Sequence, residues 1–270
     1  MLKTKPTQAD LAYADASPRN VLDVYLPAGA ANSPVVIWIH GGAFMMDDKA
    51  DPQSLDALLG AGFAVAAINY RLTDTAIWPA QLHDVTAAVG FIRTNAAAYG
   101  VDGNRLALFG ASAGGFLAST AGIALAADPA TAVSAVVDWF GPVQFTTMDA
   151  DIEATGTARA TGRNDADDSP ESRLVGHSVS DNPVAAEQVS PLAYLARSTT
   201  PLPAFLIMHG EHDPYIGRGQ SERLRDALLA SPHQTGVTCP VVAGGGHGSG
   251  TFQDKATTKM MLDFLTALWP

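Results

Sequence analysis

Short apolar runs alternate along the chain with longer, helix-like stretches. The runs are VLDVYL (21–26), VVIWIH (35–40), FAVAAIN (63–69), RLALFG (105–110), VSAVVDW (133–139), AFLIMH (204–209) and VTCPVV (237–242). Several are apolar throughout, as strands covered on both faces are, and such strands belong to parallel sheets whose crossovers are helices. Helices are predicted between them at 52–60, 79–99, 113–127, 219–230 and 251–268. Pro79 suits a first helical turn and Gly100 suits a C-terminal stop. Strand and helix in repeated order predict an α/β chain with a mostly parallel, doubly wound sheet and helices on both faces.

The alternation lapses between 141 and 203, where Asp, Thr, Ser and Pro accumulate. A stretch that long without strong periodicity is often functional in a compact domain. A lid-like or cap insertion is expected there, holding short helices such as one at 182–196. The 270 residues otherwise read as a single domain, 1–270, long enough to bury a substantial core.

Composition agrees: 47% of residues are apolar and only 16% charged, which excludes an extended disordered chain. The formal net charge of −11 would repel phosphate backbones and anionic headgroups, so neither nucleic acid nor a membrane surface is an expected partner. The opening MLKTKPTQADLAYADASPRN has two lysines but no apolar stretch after them, the mark of neither a signal peptide nor an anchor. A cytoplasmic location is the expectation for the chain as written. Cys239 is the only cysteine, which excludes an internal disulfide and any multi-thiolate metal site. In its apolar run it reads as a buried, inert thiol.

The chemistry gathers at the ends of the predicted strands. Gly110-Ala111-Ser112-Ala113-Gly114 matches G-x-S-x-G where an apolar run ends and an Ala-rich helix begins, the strand-turn-helix setting of a nucleophile elbow. Side chains two before and two after the serine would collide in that strained turn, so both positions need glycine. A serine hydroxyl needs a positioned base to take its proton. Of seven histidines, His247 in GGGHGSG follows the last predicted strand on a loop able to reach the site, and it completes the order Ser, Asp, His.

The carboxylate that orients such a base is sought just after AFLIMH, where HGEHDPYI offers Glu211 and Asp213. Asp213 is preferred because it lies farther past the strand, in a loop stiffened by Pro214, and Asp138 is the rival. His40-Gly41-Gly42-Ala43-Phe44 ends another strand as an HGGG-type motif, so the N–H groups of Gly42, Ala43 and Ala113 are candidate oxyanion-hole donors. Phe44, Trp78, Phe140 and Tyr215 lie near predicted strand ends and are candidates for a substrate pocket. His209, Glu211, His212 and Asp213 are metal-ligating types, but they crowd one short loop, and a metal would leave the elbow unexplained. No metal site is expected.

With DVYLP (23–27), HGGAF, INYRL (68–72), WPAQLHDV (78–85), GASAGG, HGEHDPYI and GGGHG in this order, the chain resembles the α/β-hydrolase esterases with an HGGG-like oxyanion motif. Among them it is similar to the bifunctional feruloyl and acetyl-xylan esterases, from about Val21 to the C-terminus. The resemblance implies an α/β-hydrolase fold, a triad of Ser112, Asp213 and His247, oxyanion donors at Gly42, Ala43 and Ala113, and no cofactor. Ala43 departs from the third glycine of many relatives. The implied activity is carboxylic-ester hydrolysis through an acyl-enzyme on a small-molecule ester. Short acyl esters are expected, with acetylated or feruloylated carbohydrate esters within the class. A peptidase or amidase on the same fold, or a silent hydrolase fold that only binds, are the competing readings.

Overall fold

The computed structural model describes residues 4–269, so the first three residues of the N-terminal segment read above lie outside the described residues. The elements in chain order are β1 Gln8–Ala12, β2 Val21–Tyr25, β3 Ser33–Ile39, α1 Leu55–Gly60, β4 Ala64–Ile68, α2 Ala80–Tyr99, β5 Val101–Ala111, α3 Ala113–Ala124 and β6 Ala135–Trp139. There follow α4 Met148–Thr155, α5 Pro170–Val175, α6 Pro183–Gln188, α7 Pro191–Leu195, β7 Ala204–Gly210, α8 Gly219–Ala230, β8 Val237–Thr238, β9 Val241–Val242 and α9 Lys255–Leu268.

One sheet runs β1-β2-β4-β3-β5-β6-β7-β8, with β9 also on β7. β2 pairs antiparallel with both β1 and β4, and the remaining strand pairings, from β4 with β3 onward, are parallel. Ile39 lies opposite Gly110, Gly110 opposite Asp138, and Trp139 opposite Met208, so the carboxyl ends of the central strands finish along one edge. In open α/β sheets ligands bind at that edge, and HGGAF, GASAGG and HGEHDPYI lie at the ends of β3, β5 and β7, with GGGHG after the short β9 beside β7. The apolar runs of the central strands β3 to β7 are buried on both faces. Ile37, Leu108, Val136 and Ile207 join the layer under α2 and α3, while Val36, Phe109, Val137 and Leu206 join the layer that holds Met261 and Leu265 of α9.

Four expectations need correction. β1 gave no apolar signal because it is an exposed antiparallel edge strand. The run 237–242 is two short strands, since Pro240 has no N–H to donate and interrupts the ladder. The helix read at 182–196 is α6 and α7, divided ahead of Pro191; Asn182 and Ser190 cap them by accepting from the N–H groups of Ala185 (3.2 Å) and Leu192 (3.1 Å). Cys239 is half-buried rather than buried, although desolvation still pushes its thiol up to about 11.

Residues 141–203 carry α4 to α7 and a 3₁₀ turn at Phe145–Thr147. Gln220 of α8 fastens the start of this segment, its Oε1 accepting from the N–H groups of Val143 and Gln144 at 2.7 Å each. Asp151 of α4 pairs with Arg223 of α8 at 2.8 Å. The segment is thereby tied to the main body by hydrogen-bonded and charged contacts as well as packing. No described helix is long and apolar enough to cross a membrane.

Candidate active site

Ser112 stands between β5 and α3 with φ 56° and ψ −123°, a strained conformation for a residue with a side chain. The turn persists because its surroundings leave no alternative. The Ser112 N–H donates to the Trp139 carbonyl at 2.8 Å, and a Cβ on Gly110 would overlap the Gly114 carbonyl. A Cβ on Gly114 would overlap the Ile39 carbonyl, so both glycines are sterically required. Ala113 opens α3, and its N–H belongs to the first turn, which has no intrahelical acceptor.

The HGGAF turn leaves β3 beside this elbow. Gly42 (φ 88°), Ala43 (φ 54°) and Phe44 (φ 61°) are all left-handed, and the Gly42 carbonyl accepts from the N–H groups of Met45 (2.9 Å) and Met46 (3.0 Å). Two residues given no role above brace it. Tyr70 stacks on His40 with ring centroids 4.4 Å apart, and its hydroxyl donates toward the carbonyls of His40 (3.1 Å) and Gly41 (3.0 Å). Arg19 donates to the Tyr70 carbonyl (2.8 Å), the Asp47 carbonyl (2.9 Å) and His40 Nε2 (3.3 Å). His40 Nδ1 then donates to the Gly41 carbonyl at 2.9 Å, which fixes the neutral tautomer. Burial, reinforced by Arg19, pushes His40 down to about 4 against the opposing pull of that carbonyl.

Asp213 lies in the loop after β7. Its Oδ1 accepts from the N–H groups of Tyr215 (2.8 Å) and Ile216 (3.0 Å), which leaves Oδ2 to accept from His247 Nδ1 at 2.6 Å. Burial alone would raise this carboxyl. The His247 hydrogen bond and charge, helped by His209 and the Ile216 N–H, outweigh it and hold Asp213 below the usual carboxylate range. Phe140 and Tyr215 flank the imidazole, with centroids 4.4 and 5.1 Å from its own.

Ser112 and His247 line one cavity of about 790 Å³, together with Gly42, Ala43, Ala113, Phe44, Phe140 and Tyr215. Trp78 does not line it, a correction to its reading as a pocket residue. Its indole packs on Phe116 of α3 and Tyr194 of α7, with centroids 5.6 and 6.3 Å away, where it lies partly buried against the core. Phe44 is also mostly a core residue, 1% exposed and packed edge-on against Phe116.

The rival groups lie elsewhere. Asp138 is buried beside α3, accepting from Ser119 Oγ (2.6 Å) and the Gly141 N–H (2.8 Å), and desolvation raises it to about 6 against those two bonds. Glu211 accepts from the Gly244 N–H at 2.9 Å. His209 is locked between Ser221 Oγ (2.7 Å) and the Ile216 carbonyl (2.8 Å), which leaves it no lone pair for a metal.

A comparison of the sequence with known families matches BD-FAE over residues 22–228. The chain belongs to the BD-FAE family. Curated relatives of this BD-FAE member include Esterase LipQ of Mycobacterium tuberculosis, 28% identical over 82% of this chain and 52% of its own length. Esterase LipC of the same organism is 30% identical over 87% of this chain and 58% of its own. The chain thus spans about half the length of the curated relatives it matches. Among solved structures, a truncated carbohydrate esterase from gut microbiota superposes with a TM-score of 0.83 at 30% identity, covering 96% of this chain and 95% of its own. A bifunctional GH43-CE protein of Bacteroides eggerthii gives 0.83 at 32%, covering 97% of this chain and 38% of its own. The α/β-hydrolase fold implied by the motifs is the fold of this chain.

Two motifs shared with that resemblance are explained by their packing against each other. Arg71 of INYRL grips Asp84 of WPAQLHDV through Nε (2.9 and 3.0 Å), Nη2 (2.7 Å) and the backbone N–H (2.8 Å). Gln81 donates to the carbonyls of Arg71 (3.1 Å) and Ala76 (2.8 Å). This clamp fixes the chain next to Tyr70, so it supports the HGGAF turn at one remove.

Proposed function

We propose that the chain hydrolyses carboxylic esters through an acyl-enzyme on Ser112, with His247 as general base and Asp213 as its orienting acid. The observation that carries this reading is the 2.6 Å contact of His247 Nδ1 with a carboxylate held below its usual range, in a cavity shared with a serine on a strained elbow. That contact keeps the proton on Nδ1 and the Nε2 lone pair free to accept from Ser112 Oγ.

Ser112 Oγ attacks the ester carbonyl carbon while His247 Nε2 takes its proton. The carbonyl oxygen becomes an oxyanion that meets the N–H groups of Gly42, Ala43 and Ala113. Collapse breaks the carbon to alkoxy-oxygen bond, and His247 returns the proton to the leaving alcohol. Water then attacks the acyl-enzyme, giving its proton to His247, and Ser112 leaves with that proton. No cofactor enters the sequence.

Short acyl esters are the proposed substrates, with acetylated or feruloylated carbohydrate esters within the class. The carbohydrate part rests on the likeness to the two carbohydrate-esterase structures. Hydrolysis of p-nitrophenyl esters from acetate to laurate by wild type and Ser112→Ala tests the reading. Acetate or butyrate turnover that vanishes in the folded variant supports it, and activity that survives the substitution overturns it.

A further inference from the structure

The cavity above Ser112 has two unlike walls. Phe44, Pro142, Met148 and Ile216 form an apolar one, and residues 161–171 of the insertion supply a polar one. Three of the polar groups on that second wall are committed to their neighbours, and Thr161 and Asp168 are exposed to solvent. Asn164 donates to Asp149 Oδ1 from its N–H (3.0 Å) and Nδ2 (3.3 Å), and Ser169 Oγ caps α5 by accepting from the Ser172 N–H at 3.0 Å. Arg163 is paired with Asp165 at 2.8 Å.

Glu171 differs from these. It lines the cavity yet is only 5% exposed, and its Oε2 is shielded from solvent with no hydrogen-bond partner among the described residues. Burying such a group without a partner is costly, and a native structure that retains one invites an explanation. Desolvation, with Asp149 adding to it, pushes Glu171 up to about 7 against its own backbone hydrogen bond. Near neutral pH the carboxyl can therefore donate or accept. Rotation about the Cγ–Cδ bond, a broad and roughly two-fold torsion, exchanges its two oxygens, so either oxygen can serve a ligand.

We propose that Glu171 is a specificity-determining residue that hydrogen-bonds a free hydroxyl of the substrate, selecting hydroxylated esters over plain ones. The inference rests on the ester-hydrolase reading of the Ser112 site and adds a discriminating group to it. A site whose buried polar group awaits a hydroxyl rejects the analogue that lacks one, because the group then stays unpaired. The hydroxyl is that of a phenol on the acyl part or of a sugar on the alcohol part, and the chemistry of recognition is the same for both.

The test compares kcat/KM for two matched pairs in wild type, Glu171→Gln and Glu171→Leu. Methyl para-hydroxycinnamate against methyl cinnamate reads the phenol; mono-O-acetyl methyl xyloside against cyclohexyl acetate reads the sugar. Wild type should prefer the hydroxylated member of at least one pair by about tenfold, the worth of one hydrogen bond to such a group. Glu171→Leu should erase that preference while its turnover of the plain ester stays within about threefold of wild type, which shows an intact fold and intact chemistry. Glu171→Gln should keep most of the preference.

No preference in wild type, or a preference that survives Glu171→Leu, would overturn the proposal. Should wild type cleave no ester, the esterase reading fails and binding decides the role of Glu171. Calorimetry would then compare para-hydroxybenzylacetone with benzylacetone, and methyl xyloside with its fully O-methylated ether. Tighter binding of the hydroxylated member of at least one pair, lost in Glu171→Leu, supports the role; equal binding within both pairs refutes it.

Discussion

Asp213→Asn is nearly isosteric, and its effect can be followed atom by atom. The native carboxylate accepts three hydrogen bonds, two at Oδ1 from the N–H groups of Tyr215 and Ile216 and one at Oδ2 from His247. An asparagine has one acceptor oxygen. The two backbone N–H groups claim it, which turns the amide nitrogen toward His247 Nδ1 and sets donor against donor. The imidazole escapes by moving its proton to Nε2, where it can no longer accept from Ser112. Loss of the charge-assisted bond alone is worth about 1.5–3 kcal/mol, or roughly ten- to a hundredfold in rate. The reversed tautomer brings the expected loss in kcat to about 10⁴, the size seen for the equivalent change in another serine hydrolase. Turnover of p-nitrophenyl acetate measures it, with Asp138→Asn as the control. Asp138 bonds Ser119 and Gly141, so its substitution should leave kcat within about tenfold provided the protein folds. The reasoning fails if folded Asp213→Asn keeps a tenth of its activity, or if folded Asp138→Asn falls as far.

Removing Asp84 strands Arg71, and Asp84→Ala should lower unfolding stability by about 3 kcal/mol in urea titrations; a change under about 1 kcal/mol would deny the clamp its role. His40 gives a pH-dependent prediction of defined sign. Folded His40 stays neutral down to about 4 while an unfolded histidine protonates near 6.5, so its contribution to stability is lost as pH falls through that interval, by at most about 3 kcal/mol. Asp138 and Glu171, both raised by burial, change stability in the opposite direction with pH and are common to both proteins. The stability gap between wild type and His40→Gln should therefore narrow from pH 7 to pH 4 in thermal melts, and a constant gap would contradict the assignment of a buried neutral imidazole.

What could be read from the sequence was what local sterics or continuous burial impose. Gly110 and Gly114 are legible because any side chain there would overlap a carbonyl, and β3 to β7 because parallel strands covered on both faces carry near-continuous apolar runs. β1 escaped because an exposed edge strand needs no apolar pattern. Trp78 was misassigned because an aromatic residue near a strand end suits a pocket and a core equally well, and only the positions of Phe116 and Tyr194 decide between them. Arg19 and Tyr70 were missed because their partner, His40, is more than twenty residues from either in the chain. INYRL and WPAQLHDV carried the resemblance without a role until the Arg71 and Asp84 contact supplied one. Glu171 was beyond reach for a different reason. Its burial depends on how the 141–203 segment, which lacks strong periodicity, folds against the site.

The central claim is that Ser112 is the nucleophile of an ester hydrolase, and labelling with a fluorophosphonate tests it most directly. The account predicts one adduct per chain on the peptide containing Ser112, loss of p-nitrophenyl butyrate hydrolysis in proportion to labelling, and no adduct on Ser112→Ala. An adduct on another residue, or hydrolysis undiminished in fully labelled protein, would contradict it.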